Sequence, residues 1–189
     1  EVHKAKPGAL LLGECWLDGR GTDANAAELA AYFRQVPGVG PQFDALLDFA
    51  TQDVFTDVFA RRGAATDLEE WLQHTAAVFG PDATPAYFLD NHDMTRFADW
   101  AGDPRRLVAA ATFVAALSAP DVLFYGTETG LSGSRTVAGF TDSGRLPMPW
   151  DKLDEPLLGT FRTVLAARRE HEDGDVRGAR VPGEEAADV

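Results

Sequence analysis

The sequence has 189 residues, of which 45% are hydrophobic and 25% charged, and these proportions are typical of a soluble globular protein with one core. Its formal net charge of −13 argues against nucleic acids and anionic membranes as partners, because their phosphate groups would be repelled. A neutral substrate fits this charge better. The only cysteine is Cys15, which excludes an internal disulfide.

No targeting segment is predicted in these residues. The apolar runs are far shorter than the roughly 18 residues that a membrane-spanning helix needs, and no charged start is followed by the apolar core of a signal peptide. The compartment stays open between cytoplasmic and secreted. The chain begins with Glu1 instead of Met, and we expect that it has been cut from a longer chain.

Four short apolar segments are predicted to be strands buried on both faces. In chain order they are Ala9–Leu12, Phe43–Phe49, Tyr87–Asp90 and Val122–Tyr125. Their spacing suits βα units of about 30 residues or more, and alternating strands and helices predict an α/β fold with a parallel sheet. Four such units are either half of an eight-stranded barrel or an independent flavodoxin-like domain, and the pattern alone leaves both open.

The helices are predicted from capping residues and from apolar spacing. Asn25 with Glu28 three residues later resembles a capping box, and Asp103 before Pro104 is a cap before a proline at the first helical position. The predicted helices are Asn25–Gln35, Asp53–Arg62, one that begins at Thr66, one from Pro104 to about Ser118 and one over about Glu155–Glu172. We expect one domain over 1–172 and a loose polar tail, or the start of a further domain, over 173–189.

Polar side chains crowd the carboxyl ends of three predicted strands. These ends carry Glu14, Asn91-His92-Asp93 and Glu128. In parallel α/β proteins the carboxyl ends of the strands open on the ligand site, so His92 and Asp93 are the first functional candidates. A structural alternative is that Asp90 or Asn91 caps the next helix and that His92 is a half-buried histidine with its hydrogen bonds satisfied.

Paired carboxylates that face one cleft are suited to the cleavage of a glycosidic bond. One carboxyl group donates a proton to the leaving oxygen, and the other stabilises the positive charge that develops on the sugar. The sequence contains no phosphate-binding GxGxxG or P-loop and no GxSxG nucleophile motif. His92 and Asp93 lack a second histidine at ligand spacing, and Cys15 is alone, so no zinc site is predicted.

Six segments in this order resemble the catalytic barrel of the α-amylase family, glycoside hydrolase family 13, and the neopullulanase and cyclomaltodextrinase-like branch is nearest. The segments are LLGECW, FDALLDF, FLDNHD, LFYGTE, RLPMPW and ARREHE. The resemblance covers the chain from about Pro7 to His171. It implies the second half of a TIM (β/α)8 barrel, that is, four parallel βα units that correspond to barrel strands five to eight of an incomplete barrel.

The resemblance also implies roles for individual residues. Glu14 matches the general acid/base, Asp93 the carboxylate that stabilises the transition state, and His92 a histidine that hydrogen-bonds sugar hydroxyls. Arg96 is similar to a substrate-contacting arginine, with a surface salt bridge as the alternative. Trp16 is expected to stack on a sugar ring at an acceptor subsite, with a core tryptophan as the alternative.

Other residues of the strand ends and loops are expected to be structural. Glu128 resembles a carboxylate that ties down the eighth loop. Tyr125 and Trp150 are expected to pack inside the fold instead of contacting substrate.

One part of the family pattern is missing. The family's nucleophile is an aspartate in a Gly-x-Arg-x-Asp setting, and no such motif is present here. The resemblance therefore implies a missing N-terminal half-barrel that carries the nucleophile and, with its inserted domain, a calcium ion. No cofactor is expected in this chain itself.

The expected function is part of a retaining α-glycosidase that acts on α-glucans such as starch, maltodextrin or related oligosaccharides. We expect the isolated chain to be inactive because the nucleophile-bearing half is absent. A non-catalytic sugar-binding or ancillary relative, or a transglycosylase, stays open as the alternative.

Overall fold

The computed structural model describes residues 1–17, 22–34, 37, 42–136 and 141–178. Four strands form one sheet in the order β1-β2-β3-β4, and every neighbouring pair is parallel. The strands are β1 Leu12–Glu14, β2 Ala45–Leu47, β3 Pro85–Phe88 and β4 Asp121–Val122. Each lies within or beside a predicted segment, so the predicted fold of four parallel βα units is confirmed.

Seven α-helices and a small hairpin accompany the sheet in the described part of the chain. The helices are α1 Val2–Ala5, α2 Asp23–Phe33, α3 Phe49–Phe55, α4 Ala65–Phe79, α5 Phe97–Ala101, α6 Pro104–Ala116 and α7 Glu155–Gly178. A π-helical turn at Thr56–Ala60 continues α3, and the hairpin pairs β5 Arg135–Thr136 with β6 Thr141–Asp142. Among these residues, no helix combines the length and the apolar character that a bilayer crossing requires.

Two helix boundaries differ from the predictions for reasons visible in the caps. The cap of α2 is Thr22, whose hydroxyl oxygen accepts the backbone N–H of Asn25 at 3.2 Å, so Asn25 is not the cap. Helix α3 begins at Phe49, four residues before the predicted start, because the carboxylate of Asp48 accepts the backbone N–H of Thr51 at 2.9 Å. A capping side chain is polar and precedes the helix, so the spacing of apolar residues does not identify it.

The last two helices show one confirmed cap and one corrected end. Asp103 caps α6 and Pro104 occupies its first turn, as predicted. Helix α7 continues to Gly178, so it crosses the predicted boundary at 172/173 and residues 173–178 are helical instead of loose. The rest of the predicted tail, 179–189, lies outside the described residues.

The main core lies between the sheet and the helices that cover its outer face. One cluster joins β3 to α5, α6 and α7 through side chains that include Tyr87, Phe97, Leu107 and Phe161. A second cluster packs α2, α3 and α4 against β2. The helices therefore stabilise one face of the sheet, as expected for βα units.

The outer edges of β1 and β4 have no pairing strand among the described residues. Leu12 on β1 and Val122 on β4 are 46% and 40% exposed, and Leu123 next to β4 is exposed as well. Exposed apolar edge strands are templates for pairing with another chain. Four strands are also half of the eight that close a TIM barrel.

We therefore expect the isolated chain to self-associate through its sheet edges, and Val122→Lys to weaken this association because a charged side chain would have to be buried. Leu165→Lys is the matched control, since Leu165 on α7 is 38% exposed and Val122 is 40% exposed. Sedimentation velocity over a concentration series measures the effect. A wild-type chain that sediments as a clean monomer and unfolds cooperatively would contradict the expectation.

Candidate active site

The carboxyl ends of β1 and β3 each present an acidic side chain to solvent. Glu14 is the last residue of β1 and is exposed, whereas Asp93 lies five residues after the end of β3 and its side chain is 28% exposed. Parallel pairing of β1 with β2 and of β2 with β3 brings these two carboxyl ends to the same side of the sheet. This side is called the carboxyl edge, and it is distinct from the outer edges formed by the unpaired sides of β1 and β4. The structure thus places both predicted catalytic carboxylates where a parallel sheet binds its ligands.

The Asp93 carboxylate is held by two arginines that follow β4 in the chain. Its Oδ1 accepts hydrogen bonds from Arg145 Nη2 at 2.5 Å and from Arg135 Nη1 at 2.9 Å. The backbone carbonyl of Asp93 also accepts a hydrogen bond from Arg135. From within its own loop, Asn91 Oδ1 accepts the backbone N–H of Asp93 at 2.8 Å, which closes a tight turn.

His92 lies beside Asp93, with its Nε2 atom 3.3 Å from Asp93 Oδ2. Its side chain is 52% exposed, and its backbone carbonyl accepts a hydrogen bond from Arg145 Nε at 2.8 Å. The imidazole is therefore open to a ligand on one side while its backbone is fixed. His92, Asp93 and the two arginines form one polar cluster at the end of β3.

Trp16 connects the loop after β1 to the rest of this edge. Its ring stacks on Phe49, with centroids 4.8 Å apart and planes inclined by 22°, and Phe49 contacts Phe88 of β3 edge-to-face at 5.0 Å. The Trp16 side chain is still 50% exposed. Trp16 is therefore not a core tryptophan, and its open face could take a sugar ring as the sequence suggested.

The prediction that Arg96 contacts substrate does not fit its position, and a surface salt bridge does not fit either. Arg96 has 0% exposure, and its guanidinium lies over the rings of Phe124 and Tyr125 at 4.0 and 4.7 Å. The burial of Arg96 depends on its packing against Phe124 and Tyr125, which lie almost thirty positions later in the chain. The local motif around Arg96 carries no sign of that packing.

Asp90 has the structural role that the sequence left open for it. The side chain is almost fully buried, and it accepts hydrogen bonds from the backbone N–H of Phe97, the first residue of α5, and from Thr127 Oγ1, both at 2.8 Å. Burial raises the pKa of Asp90 above its ordinary value. The two hydrogen bonds and the nearby Arg96 charge act in the opposite direction and only reduce this rise. Asp90 therefore ties the loop after β3 to the segment after β4.

Three side chains that follow β4 in the chain were expected to be structural, and the structure bears on each of them separately. Glu128 is half-buried, and its Oε2 atom has no hydrogen-bond partner among the described residues. Tyr125 donates a hydrogen bond from its hydroxyl to the Leu146 carbonyl at 2.7 Å. Trp150 is 77% exposed, so the expectation that it packs inside the fold is wrong for this chain.

Sequence reasoning missed three residues of this edge. Asp48 directly follows β2 as a buried acidic side chain, and Arg135 and Arg145 hold Asp93. Arg145 lies in the quoted segment RLPMPW, so its presence was noticed but not its partner. In the described part of the chain, no cluster of three or more histidine, cysteine, aspartate or glutamate side chains is arranged to hold a metal ion.

No family model matches the chain. Its sequence is similar to a cyclomaltodextrinase from Bacillus sp, with 29% identity over 176 residues that make up 90% of this chain and 28% of that protein. It is also similar to a cyclomaltodextrin glucanotransferase from Bacillus licheniformis, with 31% identity over 137 residues that make up 70% of this chain and 17% of that protein.

The fold is similar to the crystal structure of an α-amylase from Geobacillus thermoleovorans in complex with acarbose. The TM-score is 0.73 at 23% sequence identity, over 90% of this chain and 36% of that one. This chain is related to the α-amylase family. The family resemblance read from the sequence is thereby confirmed, and the open sheet of four strands is the fold of a partial family barrel. The chain spans only about a quarter of the length of the curated relatives it matches.

Burial raises the pKa of Asp48, against the opposing effect of the hydrogen bonds from Thr51 and Ala50. In the folded protein Asp48 therefore stays protonated at pH values above its unfolded pKa of about 3.9. The stability that this proton contributes is present at acidic pH and is lost as pH rises through the folded pKa. One unit of pKa difference corresponds to about 1.4 kcal/mol.

We expect Asp48→Asn to be most destabilising at acidic pH and less so toward neutral pH, because the amide cannot ionise. Thermal unfolding of the variant and the wild type between pH 4 and 8 measures the difference, with the exposed Asp82→Asn as control. A deficit that grows with rising pH would show that ionised Asp48 is the form favoured by the fold.

Proposed function

We propose that this chain carries two of the three catalytic carboxylates of a retaining α-glycosidase that acts on α-glucans. The observation that supports this most strongly is the placement of Glu14 and Asp93 at one edge of one parallel sheet, on β1 and after β3. Glu14 acts as the general acid/base and Asp93 as the carboxylate that stabilises the transition state.

Each side chain has a definable task in this proposal. Glu14 donates its proton to the glycosidic oxygen as the bond breaks and later removes a proton from the attacking water. Asp93, fixed by Arg135 and Arg145, accepts hydrogen bonds from sugar hydroxyls, and these strengthen as charge develops on the ring. His92 supplies a further donor beside Asp93, and the exposed face of Trp16 supports an acceptor sugar.

The nucleophile must come from outside these residues. A retaining enzyme needs it about 5–5.5 Å from the acid/base across the sugar, and no Gly-x-Arg-x-Asp segment is present in the chain. We infer that an N-terminal half-barrel supplies this aspartate and pairs with the open edges of β1 and β4. The isolated chain is then half of an active site.

A neutral α-glucan oligosaccharide suits the net charge of −13 and the relatives, one of which is a cyclomaltodextrinase. Hydrolysis is the first candidate reaction. Transfer to a second sugar is the next, because one relative is named a glucanotransferase. The two reactions share Glu14 and Asp93 and differ in the acceptor, so product analysis separates them.

We expect the chain alone to release no product from maltohexaose, and the chain joined to an N-terminal half-barrel that bears the Gly-x-Arg-x-Asp aspartate to cleave it. In the joined protein Glu14→Gln should lower kcat about 10²–10⁴-fold, because a general acid is lost. Asp93→Asn should also lower kcat, and Glu69→Gln on the exposed face of α4 is the matched control. Reducing-sugar release and chromatography of the products measure these effects.

Each failure has a distinct meaning. If the chain alone is active and Glu14→Gln abolishes this activity, the nucleophile lies within these residues and the half-site proposal is wrong. If the joined protein binds maltohexaose but never cleaves it, the chain is a sugar-binding relative without catalysis.

A further inference from the structure

Arg96 is the largest of the fully buried side chains in the described part of the chain. A buried guanidinium is costly unless its donors and its charge are compensated. Its only carboxylate neighbour within 4.0 Å among the described residues is Asp90, at that limit. Its Nη2 atom has no hydrogen-bond partner among the described residues, and the remaining compensation comes from two backbone carbonyls and two aromatic rings. Because Arg96 has 0% exposure, its contacts are with the main chain and these rings and not with a ligand.

The hydrogen bonds of Arg96 join three separate segments. Its Nε atom donates to the carbonyl of Gly144 at 2.9 Å, and its Nη1 atom donates to the carbonyl of Tyr125 at 2.8 Å. Its backbone N–H donates to the carbonyl of Gly133 at 2.9 Å. The loop after β3, the loop after β4 and the segments before and after the β5–β6 hairpin therefore share one anchor.

The anchored segment is the one that holds Asp93. Gly144 directly precedes Arg145, which contacts both Asp93 Oδ1 and the His92 carbonyl, at 2.5 and 2.8 Å. Gly133 lies two residues before Arg135, the second arginine on Asp93, whose backbone N–H donates to Thr95 Oγ1 at 3.1 Å. The Gly133 carbonyl is bound by the backbone N–H of residue 96, which every substitution keeps, whereas the Gly144 carbonyl is bound by the Arg96 side chain. A displacement of the Gly144 carbonyl would move the Arg145 guanidinium on the Asp93 carboxylate.

We propose that Arg96 is a positioning residue that sets the orientation of Asp93, because its guanidinium fixes the backbone at Gly144 and so places Arg145. The catalytic consequence rests on the proposed function, in which Asp93 stabilises the transition state. The positioning itself concerns only these contacts and holds whether or not the protein cleaves sugars. Arg96 acts through Arg145 and does not touch substrate.

The planar fork of arginine is required for this task. The Arg96 guanidinium donates to the carbonyls of Gly144 and Tyr125 and also lies over two aromatic rings. A lysine ammonium at position 96 could donate to one of these carbonyls but has no planar group that could bind both and lie over the rings. Arg96→Lys should therefore give an intermediate effect and Arg96→Met the full one. Arg106 offers a matched control, because it also donates to two backbone carbonyls, those of Ala60 and Ala101 at 3.0 and 3.4 Å, away from Asp93.

The first test measures the position of Arg145 without any activity. Phenylglyoxal modification of the joined protein, followed by peptide mass spectrometry, reports how fast the Arg145 guanidinium reacts. We expect Arg96→Met to raise this rate at least threefold and Arg106→Met to leave it unchanged, at a temperature where circular dichroism shows all variants folded. An unchanged rate in folded Arg96→Met overturns the inference.

The second test measures catalysis in the same joined protein. Arg96→Met and Arg145→Met should each lower kcat at least tenfold with a smaller change in KM, because Asp93 acts mainly on the transition state. The double variant should lose little more than either single one, since both act on one contact. Additive losses overturn the inference. An altered Arg145 rate in a protein that never cleaves sugar would instead leave positioning intact and overturn the proposed function.

Discussion

Parallel pairing of the four strands is the constraint on which the site depends. Hydrogen bonding of β1 to β2 and of β2 to β3 brings Glu14 and the Asn91-His92-Asp93 loop to one edge, although they are separated by almost eighty residues in the chain. Helices on the outer face stabilise this arrangement by burying apolar surface. The polar residues at the strand ends are then free to serve chemistry instead of the core.

The same sheet is incomplete as a barrel. Its outer strands β1 and β4 expose apolar side chains. The chain also contains no Gly-x-Arg-x-Asp segment, which carries the nucleophile in the family. The proposal that an N-terminal half-barrel closes the sheet and completes the site explains both features. Folding and catalysis would then depend on the same interface.

The sequence predicted those parts of the structure that depend on local pattern. The four strands and the Asp103-Pro104 helix start follow from short apolar runs and from a cap next to a proline, and both were found. The positions of Glu14 and Asp93 follow from the strand ends. The cap of α2 was misplaced, because Asn25 and Thr22 are both good capping residues and only the backbone geometry selects Thr22.

The parts that the sequence could not predict depend on tertiary contacts. The burial of Arg96 requires Phe124 and Tyr125. The hydrogen bonds that hold the Asp93 carboxylate come from Arg135 and Arg145, which lie more than forty residues after Asp93 in the chain. Neither distance along the chain nor residue type signals such a contact. The resemblance to a family suggested that Arg96 was important but suggested the wrong kind of contact for it.

The most direct measurement is a crystal structure of the joined protein with a non-hydrolysable α-glucan oligosaccharide bound. We expect a Glu14 carboxyl oxygen to lie within hydrogen-bond distance of the glycosidic oxygen, and Asp93 to accept hydrogen bonds from hydroxyls of the sugar on the other side of that bond. An oligosaccharide bound away from the carboxyl ends of β1 and β3, or with Glu14 turned from the glycosidic oxygen, would contradict this expectation.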